Sequence, residues 1–83
     1  MLILQLTGRA TFSLLSLPGW ERERISDALI LLTTDPRPPT ARALTHLDGE
    51  AFEIWVGSER RLHYRIYKND SDEDSVVMVF RVI

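Results

Sequence analysis

The chain has 83 residues, 45% of them hydrophobic and 27% charged, with a net charge of −2 and no cysteine. That length supports one domain, 1–83, around one modest core, and excludes a second. The missing cysteine excludes disulfides, a thiolate metal site and a cysteine nucleophile, so a reducing cytoplasm is the default compartment.

The longest apolar runs are Ala28–Leu32 and Val76–Phe80, far short of the roughly 20 residues a spanning helix needs, so no membrane is expected as a partner. Met1–Leu6 carries no basic flank or cleavage site and reads as structure rather than as a signal peptide. A slightly acidic balance argues against a protein that coats nucleic acid without specificity. Four of the acids, Asp70, Asp72, Glu73 and Asp74, lie in one short stretch, and without them the balance reverses sign. All cations but Lys68 are arginine, which suits bidentate phosphate contacts and equally suits a compositional bias of the genome.

In chain order, Met1–Leu6 reads as a short strand ending at Thr7-Gly8. Thr7 is placed to cap a helix in which Ala10, Leu14 and Leu17 share a face, flanked by Phe12 and Leu15 and closed by Pro18-Gly19. Pro18 opens a second helix, about Pro18–Thr33. Glu21 and Glu23 stand near its N-terminus, where the helix dipole favours acids, and Ile25, Ala28, Leu29 and Leu32 form its apolar stripe. Asp35-Pro36-Arg37-Pro38-Pro39 ends it, because each proline removes a donor and pushes the preceding residue out of helical space. The two helices therefore form a hairpin.

Past the prolines the spacing becomes alternating. Phe52, Ile54 and Val56 alternate with Glu53, Trp55 and Gly57, and Leu62, Tyr64 and Ile66 alternate with Arg61, His63, Arg65 and Tyr67, the pattern of two half-buried strands. Gly57-Ser58-Glu59 is the turn between them, and Asn69–Ser75 a second turn leading to a last strand, Val76–Val82. The order β-α-α-β-β-β predicts an α+β fold with the helical hairpin on one face of a mostly antiparallel four-stranded sheet.

Alternation puts Arg61, His63, Arg65 and Tyr67 on the face away from the helices, joined in register by Glu53 and Trp55. As a site, that face binds RNA or another anion: Arg61 and Arg81 on phosphate, Arg65 beside them, Trp55 or Tyr67 stacking a base, His63 or Glu53 moving a proton. As plain structure it is a solvated outer face with cross-strand Glu–Arg pairs. His46 and His63, without cysteine or clustered carboxylates, do not make a metal site. Asp70–Asp74 lacks the ordered ligand spacing and glycine of a calcium loop, and Trp20 at the start of the second helix reads as a packing residue.

The ordered set resembles the RelE/ParE family of bacterial toxins. The residues that carry the resemblance are Leu6-Thr7 through Leu17-Pro18, Arg22-Glu23-Arg24-Ile25 with Ala28-Leu29 and Leu32, the proline exit, Phe52-Glu53-Ile54-Trp55-Val56-Gly57, Arg61-Leu62-His63-Tyr64-Arg65-Ile66 and Val76–Val82. The resemblance implies the cytoplasmic toxin of a type II toxin–antitoxin pair, with a cognate antitoxin as partner. Its target would be ribosome-bound messenger RNA, cleaved without metal or cofactor by attack of the 2′-hydroxyl on the adjacent phosphate; the alternative is a non-catalytic binding module, either a gyrase inhibitor or a non-toxic relative. Arg61 and Arg81 match basic positions of the family's site, whereas Glu53 and Trp55 stand where its ribonucleases carry lysine or arginine. Because the sequence stops at Ile83 just after a strand, an uncovered surface is expected there, closed by an antitoxin segment or by homodimerisation.

Overall fold

Thr7 starts the first helix as its position predicts: its backbone is extended and its hydroxyl accepts a hydrogen bond from the Ala10 N–H at 3.1 Å, satisfying a donor that has no partner inside the helix. The computed structural model describes residues 2–68 and 75–83. Within them lie β1 (Ile3–Leu6), α1 (Gly8–Leu15), α2 (Gly19–Thr34), β2 (Arg42–Ala43), β3 (Ala51–Val56), β4 (Arg60–Tyr67) and β5 (Val76–Val82). The expected acidic turn falls at 69–74, outside the described residues.

The strands form one sheet in the order β1-β5-β4-β3-β2. β1 runs parallel to β5 and every other pair is antiparallel. The expectation of four strands is corrected by β2, which pairs Arg42 with Glu53 and Ala43 with Phe52. Two residues are too few to show alternation, so the pairing is made by the neighbouring edge of β3 rather than by any pattern in Arg42-Ala43.

One face of the sheet meets the helices. Leu62, Tyr64, Ile66, Val77, Val79 and Val82 pack there with Ala10 of α1 and Ile25, Leu29 and Leu32 of α2, and half-buried Phe52, Ile54 and Val56 extend the cluster. Tyr64 is fully buried, its ring stacks on Phe52 at 5.7 Å, and its hydroxyl donates to the Pro36 carbonyl at 2.8 Å. That bond pins the proline exit to the core. Burial, with the Asp35 charge adding to it, pushes the Tyr64 hydroxyl up to about 12, so it stays a donor at every physiological pH.

The turn between β3 and β4 is fixed from both sides. Gly57 takes a positive φ of 71°, and a Cβ there would run into the Arg24 guanidinium, so the position suits glycine for two reasons. Arg60 then donates from Nε and Nη2 to both carboxylate oxygens of Glu21, at 3.3 and 3.0 Å. This bidentate pair, with Glu21 buried, ties the first turn of α2 to the hairpin. No described helix is long and apolar enough to cross a membrane.

Candidate functional site

The register of β3 against β4 decides what gathers on the sheet face turned away from the helices. Ala51 lies opposite Arg65, Glu53 opposite His63 and Trp55 opposite Arg61. The cross-strand set read from alternation is therefore brought together, Tyr67 excepted. At its centre the Glu53 carboxylate sits 2.8 Å from His63 Nε2 and 3.6 Å from Arg61 Nη1. With Glu53 ionised, Nε2 carries the proton and donates it, leaving Nδ1 as the ring atom that can take another.

Glu53 is 8% exposed, and an isolated carboxylate so placed would be pushed towards its neutral form. The hydrogen bond from His63 outweighs that burial, and the charges of His63, Arg61 and Arg42 add to it, so the Glu53 carboxyl is held below its ordinary value. Arg42 reaches this group because β2 pairs it directly with Glu53. Nothing in the sequence pattern marked Arg42.

The second half of the face comes from β5, and an irregularity shapes it. His63 lies opposite Arg81 but Tyr64 lies opposite Val79, so Phe80 is an extra residue, a β-bulge. Val77, Val79 and Val82 all point into the core. Strict alternation from Val79 would send Arg81 inward with them; the bulge turns Arg81 outward beside His63 and leaves Phe80 on the same side. The Phe80 ring lies 6.0 Å from the His63 ring and 5.4 Å beneath the Arg65 guanidinium. Sequence reasoning missed Phe80, since a bulge is a property of the pairing and not of one strand's pattern.

Arg61 lies over the Trp55 ring at 5.1 Å, and Trp55 remains 51% exposed. Arg65 also donates to the Asp48 carbonyl, which fixes its guanidinium above Phe80. Tyr67 stands apart from this group, exposed at the far end of β4 opposite Val76. No cluster of three or more metal-ligating side chains occurs among the described residues.

A face that presents one buried carboxylate–imidazole pair, arginines on three strands and two aromatic rings is equipped to bind a polyanion carrying planar groups and to move a proton at its centre. Comparison with known proteins agrees on the fold. No family model matches the chain and no curated protein matches it by sequence, but solved structures do. A chain of the intact E. coli RelBE toxin–antitoxin complex superposes with a TM-score of 0.77 at 23% identity, covering 96% of this chain and 92% of that one. The archaeal RelE–RelB complex from Pyrococcus horikoshii gives 0.74 at 18%, covering 96% and 90%. A free-state E. coli RelE carrying two arginine-to-alanine substitutions gives 0.73 at 25%, covering 96% and 79%. The chain has the RelE toxin fold, as the resemblance implied.

Proposed function

We propose that the protein is the toxin of a type II toxin–antitoxin pair and that it cleaves RNA on the open face of the sheet, without metal, with ribosome-bound message as the target. The observation that carries this reading is the Glu53–His63 pair at 2.8 Å, flanked by Arg61 on one side and by Arg81 across the strand. In that arrangement His63 takes the proton of a 2′-hydroxyl at Nδ1 as the oxygen attacks the adjacent phosphorus, and returns it to the departing 5′-oxygen. Glu53 fixes the ring and stabilises its cationic form. Arg61 and Arg81 remain ionised throughout and offset the charge that grows on the phosphate oxygens. Two positions where the family's ribonucleases carry lysine or arginine are Glu53 and Trp55 here, so the proton is handled by an imidazole held by a carboxylate.

A cognate antitoxin is the proposed partner, supported by the RelE neighbours whose structures are complexes with RelB. A largely apolar groove between α2 and β3, lined by Ala28, Leu31, Leu32, Ile54 and Val56 with Arg24 and Asp27 beside them, offers a surface for it, and Leu31 is 69% exposed. The test of the chemistry is cleavage of message on ribosomes by purified protein. Arg61→Ala is expected to lower the rate at least tenfold, in keeping with the loss of a positioned charge, without unfolding the protein. Unchanged cleavage would remove Arg61 from the mechanism; no cleavage by the native protein would leave a binding module that acts on gyrase or on nothing.

A further inference from the structure

Two aromatic rings on the open face carry an arginine above them, and they stand on opposite flanks of the Glu53–His63 pair. We infer that Phe80, with Arg65 over its ring, is a base-binding platform paired with Trp55 and Arg61, so that the site takes a single-stranded RNA step whose two bases are splayed to either side of the phosphate. The inference rests on the RNA reading above and adds to it the substrate's conformation and the residue that imposes it.

The geometry supports this in three ways. Trp55 on β3 is level with Arg61, while Phe80 on β5 falls between the levels of His63 and Tyr64. Strand spacing and rise then put the two Cα atoms about 13 Å apart. Stacked neighbouring bases are separated by about 3.4 Å, so one intact stack cannot occupy both rings, whereas an unstacked step with its bases turned outward spans them.

By register the midpoint between the two Cα atoms falls on β4 between Arg61 and His63, with Arg81 opposite His63, so a phosphate joining the two bases lies between the Arg61 guanidinium and the proton-transfer pair. Each ring is already matched with a guanidinium, at 5.1 Å for Trp55 and 5.4 Å for Phe80, and both the aromatic and the guanidinium planes accept a stacked base. The bulge acquires a purpose in this arrangement, since it alone keeps Phe80 and Arg81 on the same side.

The experiment uses two RNA dinucleotides containing one 2-aminopurine and one uridine in the two possible orders, with binding followed by 2-aminopurine fluorescence. Both are expected to be quenched on binding the native protein, and an RNA duplex should not compete. Phe80→Leu should weaken binding about tenfold, the loss of one stacking contact, and restore emission for only one of the two orders. Trp55→Leu should restore it for the other, and Phe80→Tyr should behave as native.

Equal recovery of emission for both orders, or no change in a Phe80→Leu protein that still melts cooperatively, would overturn the proposal. If that variant does not fold, Arg65→Met carries the same one-sided expectation. Failure of the native protein to bind either dinucleotide also overturns it, while the Arg61→Ala cleavage assay decides the RNA reading separately.

Discussion

Glu53 shows how a single carboxylate can be buried on an arginine-rich face without becoming neutral. Its pKa is held below the ordinary 4.5, first by the hydrogen bond from His63 and then by the surrounding positive charges. A depressed carboxyl pKa stabilises the folded state above the unfolded value, and that stabilisation is lost as the pH falls through the folded value. Urea titrations should therefore show Glu53→Gln less stable than the native protein at pH 7, with the difference shrinking as the pH drops below about 4.5. A difference that stays constant down to pH 3 would show that Glu53 is not charged in the fold. That Glu53 and His63 share one face was legible in the sequence, because both strands alternate cleanly around a short turn at Gly57; that they bond directly was not, since it depends on the register. Arg42 was not, because its strand exists only through pairing.

At the scale of elements, α2 and β5 make contrasting demands. The stripe of α2 is set by helical spacing alone, and Ile25, Leu29 and Leu32 are indeed buried against the sheet. Leu29→Ala should cost about 2–4 kcal/mol by leaving a cavity, and a loss under about 1 kcal/mol in a denaturant titration would mean that this face does not pack on the core. On β5 the core positions Val77, Val79 and Val82 break strict alternation, and the break is absorbed at Phe80. Deleting Phe80 should restore a regular strand, with Val82 still inward and Arg81 still outward, so the shortened protein is expected to melt cooperatively. A molten or unfolded product would show that the bulge is required for packing rather than for the site. The strand itself was readable from its apolar run; the phase slip within it was not, since nothing in Val76–Val82 distinguishes a bulge from an even ladder.

For the molecule as a whole, the division of labour follows from the sheet. One face is spent on the helices and the core, and the other carries the arginines, the imidazole and the rings. Apart from β2, the order of elements and the two helices were legible because of their clear apolar periods and the punctuation by Pro18-Gly19 and the prolines after Asp35. Phe12 and Leu15, which read as residues flanking the first stripe, and Ile30 and Leu31, which lie outside the stripe of α2, are exposed in the fold. In the toxin reading the purified protein is expected to be monomeric in light scattering across a dilution series and to form a stable complex with the product of an adjacent reading frame. A persistent dimer that ignores that product would contradict the antitoxin assignment.

The central claim is that the Glu53–His63 pair, with Arg61 and Arg81, cuts RNA. It is tested most directly by inducing the gene in a bacterial host and mapping transcript ends while growth is followed, beside His63→Ala and Arg61→Ala variants expressed to the same level. The account predicts growth arrest with new transcript ends inside coding regions for the native chain, and neither for the two variants. Arrest with intact transcripts, or cleavage that persists in the His63→Ala protein, would contradict it.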